Sequence, residues 1–136
     1  MRTLGDLCWI NSYIGLPYEV GGRTRSGLDC YGLCKLVYQE QYGLELPDWS
    51  TDSMDLRTRH RPFEEALTSG NFIRKDSPDE GDFVVCYRTR AAHHMGLYFA
   101  GGVLNCIRGV GVVCPPLPQF ARDYNTVIFG EWKPCL

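Results

Sequence analysis

Three residues carry the chemistry this chain could do: Cys30, His94 and Asn105. Cys30 lies in the run Gly27-Leu28-Asp29-Cys30-Tyr31-Gly32-Leu33-Cys34, where a glycine-rich loop passes into a helical pattern. A thiol at a helix start meets unpaired backbone N–H groups and the positive end of the helix dipole. Both favour the nucleophilic thiolate over the thiol. His94 follows in His93-His94-Met95-Gly96-Leu97-Tyr98, and Asn105 comes eleven residues after it. A thiol, then a strand imidazole, then a short polar amide are the parts of a thiol hydrolase: nucleophile, general base and the group that orients the base.

The elements that must hold these residues are legible from periodicity. Asp29 is a natural N-cap, and Cys30, Leu33, Cys34, Val37 and Tyr38 form one apolar helical stripe. Gly43 ends that helix and Pro47 keeps it ended. An earlier helix is predicted from Leu4, Leu7, Cys8, Asn11 and Ile14, capped by Thr3 with Asp6 at its third position, and ended by Gly15 and Pro17. Residues 17–26, rich in Gly and Arg, are a loop, as is the polar stretch 48–61. Pro62 to Leu67 reads as a short helix with proline at its first position. After the turn Pro78-Asp79-Glu80-Gly81 come five strand candidates: Asp82 to Tyr87, His94 to Phe99, Val103 to Ile107, Val110 to Val113 and Thr126 to Trp132. Short gaps imply antiparallel hairpins. Helices first and sheet second predict an α+β fold, with residues 1–136 as a single domain.

Strand geometry tests the proposed site. A two-residue turn at Ala100-Gly101 pairs Phe99 with Gly102 and Gly96 with Asn105. Asn105 then shares the face of His94, one diagonal step away. A turn at Gly101-Gly102 keeps the face but moves Asn105 further along. On that face an Asn would orient the imidazole and fix its tautomer; the alternatives are a turn-proximal polar residue and an ordinary half-buried strand histidine. Adjacent strand residues point to opposite faces, so only one of His93 and His94 is expected at any single site.

Bulk properties permit an enzyme without demanding one. At 136 residues the chain can bury roughly two-thirds of its unfolded surface. With 14 basic and 16 acidic residues its net charge is −2, which argues against a dedicated nucleic-acid binder. Its densest basic stretch, Arg57 to Arg61 with His60 inside it, reads as a solvated loop. No signal-peptide pattern and no apolar run long enough to span a bilayer is visible. The seven cysteines include no Cys-x-x-Cys pair, so free thiols in a reducing compartment are expected. Cys8, Cys34, Cys86 and Cys106 read as small buried hydrophobes; Cys114 and Cys135, beside prolines, have no clear place. Structural zinc prefers closely spaced ligand pairs, and the scattered Cys and His here predict no metal. No cofactor is expected.

Four stretches together resemble a known family. Gly15-Leu16-Pro17-Tyr18-Glu19-Val20-Gly21-Gly22 followed by Gly27-Leu28-Asp29-Cys30-Tyr31-Gly32-Leu33 resembles the start of an NlpC/p60 domain. Gly81-Asp82-Phe83-Val84-Val85 is similar to that family's Gly-Asp strand, and His94-Met95-Gly96-Leu97-Tyr98 to its histidine strand. The resemblance implies a papain-like fold, with the nucleophile at a helix start packed on an antiparallel sheet. It implies cysteine peptidase chemistry, in many relatives on the stem peptides of bacterial cell walls. Position by position, it implies Cys30 as nucleophile, His94 as general base and Asn105 as the third polar residue. Tyr18 matches a tyrosine lining the nucleophile's surroundings, although a plain packing aromatic fits that position equally. Asp29 matches the acid before the cysteine, where the cap role already accounts for it.

One departure narrows the resemblance. Cell-wall members usually carry serine after the nucleophile, and here Tyr31 stands in its place. With Gly43-Leu44-Glu45-Leu46-Pro47-Asp48, this resembles the branch found in tail assembly proteins of lambda-like bacteriophages. The implied partners are a peptidoglycan stem peptide and other tail proteins. The implied location is the host cytoplasm during synthesis and then the virion tail. Tyr31 and Asp29 are carried as residues beside the substrate and oxyanion. A structural tail module with the same fold, or a related effector amidase or acyltransferase, are the rival readings.

Overall fold

The structure, a computed structural model, describes residues 5–47, 68 and 70–133. The chain opens with a 3-10 helix, Gly5–Ser12, in place of the predicted α-helix. Ile10 within it and Tyr13 just past its end are buried. Cys8, expected to be buried, is exposed, and Ile14 is 44% exposed. Of the predicted stripe Cys8, Asn11 and Ile14 are exposed, and the proposed Thr3 cap lies outside the described residues. So do the predicted helix from Pro62 to Leu67, the Arg57–Arg61 loop and Cys135.

The predicted loop 17–26 supplies the first strand of a miniature ribbon. Strands β1 (Arg23–Thr24) and β2 (Gly27–Leu28) pair antiparallel. The Leu28 N–H donates to the Pro17 carbonyl at 3.0 Å, and the Glu19 N–H to the Leu28 carbonyl at 3.0 Å. The ribbon delivers the chain to Asp29, whose carboxylate caps helix α1 (Cys30–Tyr42) by accepting the Gly32 N–H at 2.6 Å. The predicted stripe Cys30, Leu33, Cys34, Val37 and Tyr38 is buried. Gly43 closes the helix in the left-handed region at φ 66°. Gly32 is needed where it stands, because a Cβ there would lie 2.0 Å from the Gly22 carbonyl oxygen.

A six-stranded sheet forms the rest, in the order β3-β8-β4-β5-β6-β7, with antiparallel neighbours throughout. The strands are β3 (Phe72–Lys75), β4 (Phe83–Arg88), β5 (Ala91–Phe99), β6 (Gly102–Ile107), β7 (Gly111–Val113) and β8 (Thr126–Trp132). All five predicted strands form, within a few residues at each end. β3 was not predicted: its four residues sit at the sheet edge with two exposed positions, too short for a period to register. A short helix, α2 (Leu117–Ala121), follows the proline-rich run after β7. Helix α1 packs against β5 and β6 on one side of the sheet. On the other, Val84, Cys86, Val103 and Phe120 form a second apolar cluster, flanked by Tyr98 and Tyr124. This is the α+β, papain-like arrangement expected. Among the described residues no helix is long and apolar enough to cross a membrane.

Candidate active site

The β5–β6 turn is Ala100-Gly101, both residues at positive φ (52° and 82°), as a two-residue hairpin turn requires. The Glu80 carboxylate accepts the Ala100 N–H at 2.9–3.1 Å and ties the turn down. Phe99 pairs with Gly102 and Leu97 with Leu104, the first of the two predicted registers. Gly96 makes close approach possible: a Cβ there would lie 2.7 Å from the Leu104 carbonyl oxygen and 3.0 Å from the Asn105 Cβ. Asn105 and His94 therefore share a face, and His94 Nε2 lies 3.0 Å from Asn105 Oδ1.

Asn105 is wholly buried and His94 is 7% exposed. The Asn105 Nδ2 donates to the Val103 carbonyl at 2.9 Å. A carbonyl only accepts, so the amide nitrogen must face Val103 and Oδ1 must face the ring. His94 Nε2 then carries the hydrogen, and Nδ1 is left with the lone pair a base needs. The ring is stacked against Tyr124, with centroids 6.0 Å apart at 12°, and tilted against Phe120 at 6.2 Å.

Cys30, His94 and Tyr18 line one cavity of about 160 Å³, together with Arg88, His93, Cys106, Ile107, Arg108 and Tyr124. Cys30 arrives from the α1 layer, and His94 from the sheet face that Tyr124 and Phe120 cover.

The presence of both His93 and His94 in one cavity corrects the expectation that only one could face it. Cys86 pairs with His94 but Tyr87 pairs with Ala92, so two β5 residues occupy the space of one β4 step. Such a bulge breaks the alternation of side chains and re-aims them. Nothing in the residue types of this run announces it.

Asp29 and Tyr31 are not among the cavity-lining residues. Asp29 is buried beneath the helix start, holding the Gly32 N–H and the Arg23 guanidinium at 2.8 Å. Tyr31 is buried, and its hydroxyl donates to the Pro47 carbonyl. The Arg23 guanidinium lies 5.7 Å from the Tyr31 ring centre. Tyr31 thus joins α1 to the segment after it. The two parts of the Tyr31 and Leu44–Asp48 departure touch each other.

Other thiols surround Cys30. Cys106 donates to the Leu28 carbonyl at 3.1 Å, and Cys34 to the Cys30 carbonyl at 3.4 Å. Burial, with Cys30 and Asp29 adding to it, pushes the Cys106 thiol up to about 12. Burial also raises Cys34 and Cys86 well above the usual thiol range, with Cys30 contributing. These neighbours stay protonated where a nucleophile must not. Among the described residues no group of three or more His, Cys, Asp or Glu is placed to hold a metal ion.

Sequence reasoning missed Tyr124, Phe120, Arg88 and Arg108. The two aromatics stand more than twenty residues from His94 in a segment without a strong period. Each arginine terminates or directly follows a strand, where a cation looks like ordinary surface.

The profile of the NlpC/P60 family matches residues 15–115. The murein DD-endopeptidase MepS/murein LD-carboxypeptidase of Escherichia coli K12 is 25% identical over 114 residues, 82% of this chain and 54% of that protein. The chain spans about half the length of the curated relatives it matches. Among solved structures, the NlpC/p60 domain of the peptidoglycan hydrolase SagA superposes with a TM-score of 0.63 at 23% identity, covering 91% of this chain and 92% of that one. RipD of Mycobacterium tuberculosis, described as a non-catalytic NlpC/p60 domain protein adapted to peptidoglycan binding, superposes with a TM-score of 0.59 at 19% identity, covering 96% of this chain and 98% of that one.

Proposed function

This chain belongs to the NlpC/P60 family, and on that premise we propose that it is a cysteine peptidase hydrolysing an amide bond in peptidoglycan stem peptides as part of a phage tail. The observation that carries the chemistry is the His94–Asn105 pair opening onto the cavity that Cys30 lines. The relatives named as murein hydrolases support the substrate. The phage setting rests on Tyr31 and the Leu44–Asp48 run. It places the protein in the host cytoplasm during synthesis and then in the virion tail, beside other tail proteins.

In the reaction His94 Nδ1 takes the Cys30 proton and the thiolate adds to the amide carbonyl carbon. The oxyanion forms beside the Cys30 backbone N–H at the helix start. The C–N bond breaks, the amine leaves with the proton from His94, and an acyl-thioester remains. Water, deprotonated by His94, opens it to a carboxylate and returns the thiol. Asn105 holds the imidazole in the required tautomer throughout, and Tyr18 walls the cavity.

Mass spectrometry of purified murein, incubated with wild type and Cys30→Ala, tests this reading. New stem-peptide fragments with wild type alone are the expected result. Acyl transfer to an added amine would favour the acyltransferase alternative. The RipD likeness favours one further reading, a domain that keeps the fold for binding or tail assembly. In that case Cys30→Ala phage would infect normally, while deletion of the whole chain would leave tails incomplete.

A further inference from the structure

The cavity that Cys30 and His94 line carries two arginines and no carboxylate. Arg88 ends β4 and Arg108 directly follows β6, so the two cations come from the strands on either side of β5 and its His94. Each is placed against an aromatic face. The Arg88 guanidinium lies 5.5 Å from the centre of the Tyr124 ring, which itself stacks on His94. The Arg108 guanidinium lies 5.4 Å from the centre of Tyr18. Cation–π contact steadies an arginine without using its N–H donors. Among the described residues no ion pair joins either guanidinium to a carboxylate, although the chain as a whole has more acidic than basic residues.

From this juxtaposition we propose that Arg88 and Arg108 are specificity-determining residues that bind a carboxylate of the substrate peptide close to the scissile amide. A guanidinium presents a planar fork of donors matched to a carboxylate. Two exposed guanidinia lining the nucleophile's cavity select a peptide with a free acid near the bond cut, and disfavour the same peptide with that acid amidated. The inference rests on the hydrolase reading for its substrate, and on the cavity alone for its charge preference.

Two measurements separate the inference from that reading. The first needs no turnover. Alkylation of Cys30 is followed with iodoacetate and with neutral iodoacetamide, in wild type and in Arg88→Gln/Arg108→Gln. The ratio of the two rates should fall roughly tenfold in the double variant, about the effect of losing one charge-assisted hydrogen bond, and the loss should shrink in high salt. An unchanged ratio overturns the proposal whether or not the protein is a peptidase. The second uses Cys30→Ala and synthetic stem peptides, free or amidated at the terminal α-carboxylate or at an acidic side chain, with binding measured by calorimetry. Binding should weaken about tenfold on amidating one of these two positions, which identifies the carboxylate recognised, and the arginine substitutions should abolish that difference. Equal binding of all three peptides overturns the proposal. If the charge preference holds but wild type leaves every peptide uncut, the hydrolase reading fails and the anion site stands.

Discussion

His94 Nε2 and Asn105 Oδ1 are 3.0 Å apart, and the other end of the Asn105 amide is held by the Val103 carbonyl. Because both residues sit in neighbouring strands of one sheet, the tautomer of the imidazole is set by β-sheet register. Any change that slips β6 along β5 changes the chemistry of the ring together with the packing of Val103, Leu104 and Cys106.

Asn105→Ala should therefore lower kcat/KM for a stem peptide on the order of 10²-fold, within the range a positioned acid–base group contributes. Asn105→Asp keeps an oxygen acceptor and should recover part of the loss. Circular dichroism on each variant reports the folded fraction. Equal activity of the alanine and aspartate variants at equal folded fraction would refute the orienting role.

Gly96→Ala places a Cβ against the Leu104 carbonyl and the Asn105 Cβ. Overpacking of this kind costs about 1–3 kcal/mol. A urea melt should show that loss, and activity of the remaining folded protein should fall as well, because β6 must move away from His94. A stable, fully active Gly96→Ala protein would show that the two strands can separate without consequence.

Removing the cap tests what holds the nucleophile's helix. Asp29→Ala deletes the acceptor for Gly32 N–H and the partner of Arg23 in a buried place, for a loss of about 2 kcal/mol. Asp29→Asn keeps the cap oxygen and should lose less. Thermal melts of the two variants give the order directly; equal losses would mean that the charge matters and the cap does not.

Buried acids predict an alkaline limit. Cys106 is raised from the usual 9.0 to about 12 by burial. Tyr13 is raised from 10.0 to about 12 by burial and its hydrogen bond to Glu40. The unfolded chain releases these protons near the ordinary values, while the folded protein holds them. Below those values both states are protonated and the contribution to stability is constant. Above them unfolding releases protons, so stability falls with rising pH until the folded groups also ionise. The Tm should thus hold through neutral pH and decline between about 9 and 12, less steeply in Cys106→Ala. A flat Tm across that window would contradict the burial of these groups.

What the sequence made legible follows a physical pattern. Helix α1, its Asp29 cap and its Gly43 stop are local, so periodicity and cap chemistry reveal them. The His94–Asn105 register follows from one short turn. The 3-10 helix is not legible because Cys8, Asn11 and Ile14 fit an α-helical stripe by spacing, yet all three are exposed in the fold. Tyr124 and the two arginines reach the cavity only through the folding of the whole sheet, and no local rule connects them to Cys30.

The doubled step at His93 and His94 divides β5 into two pleat phases. Ala91 and Ala92 are matched to the hairpin tip at Arg88 and Tyr87, whereas Leu97 to Phe99 are keyed to β6. A residue gained or lost in the tip shifts the pleat phase only up to the bulge, where the buried Ala92 lies. The same change after His94 would carry Gly96 and everything following to the opposite face. A change of length at the tip of the β4–β5 hairpin thus acts on the buried Ala92 and on the reach of Arg88 before it acts on the imidazole.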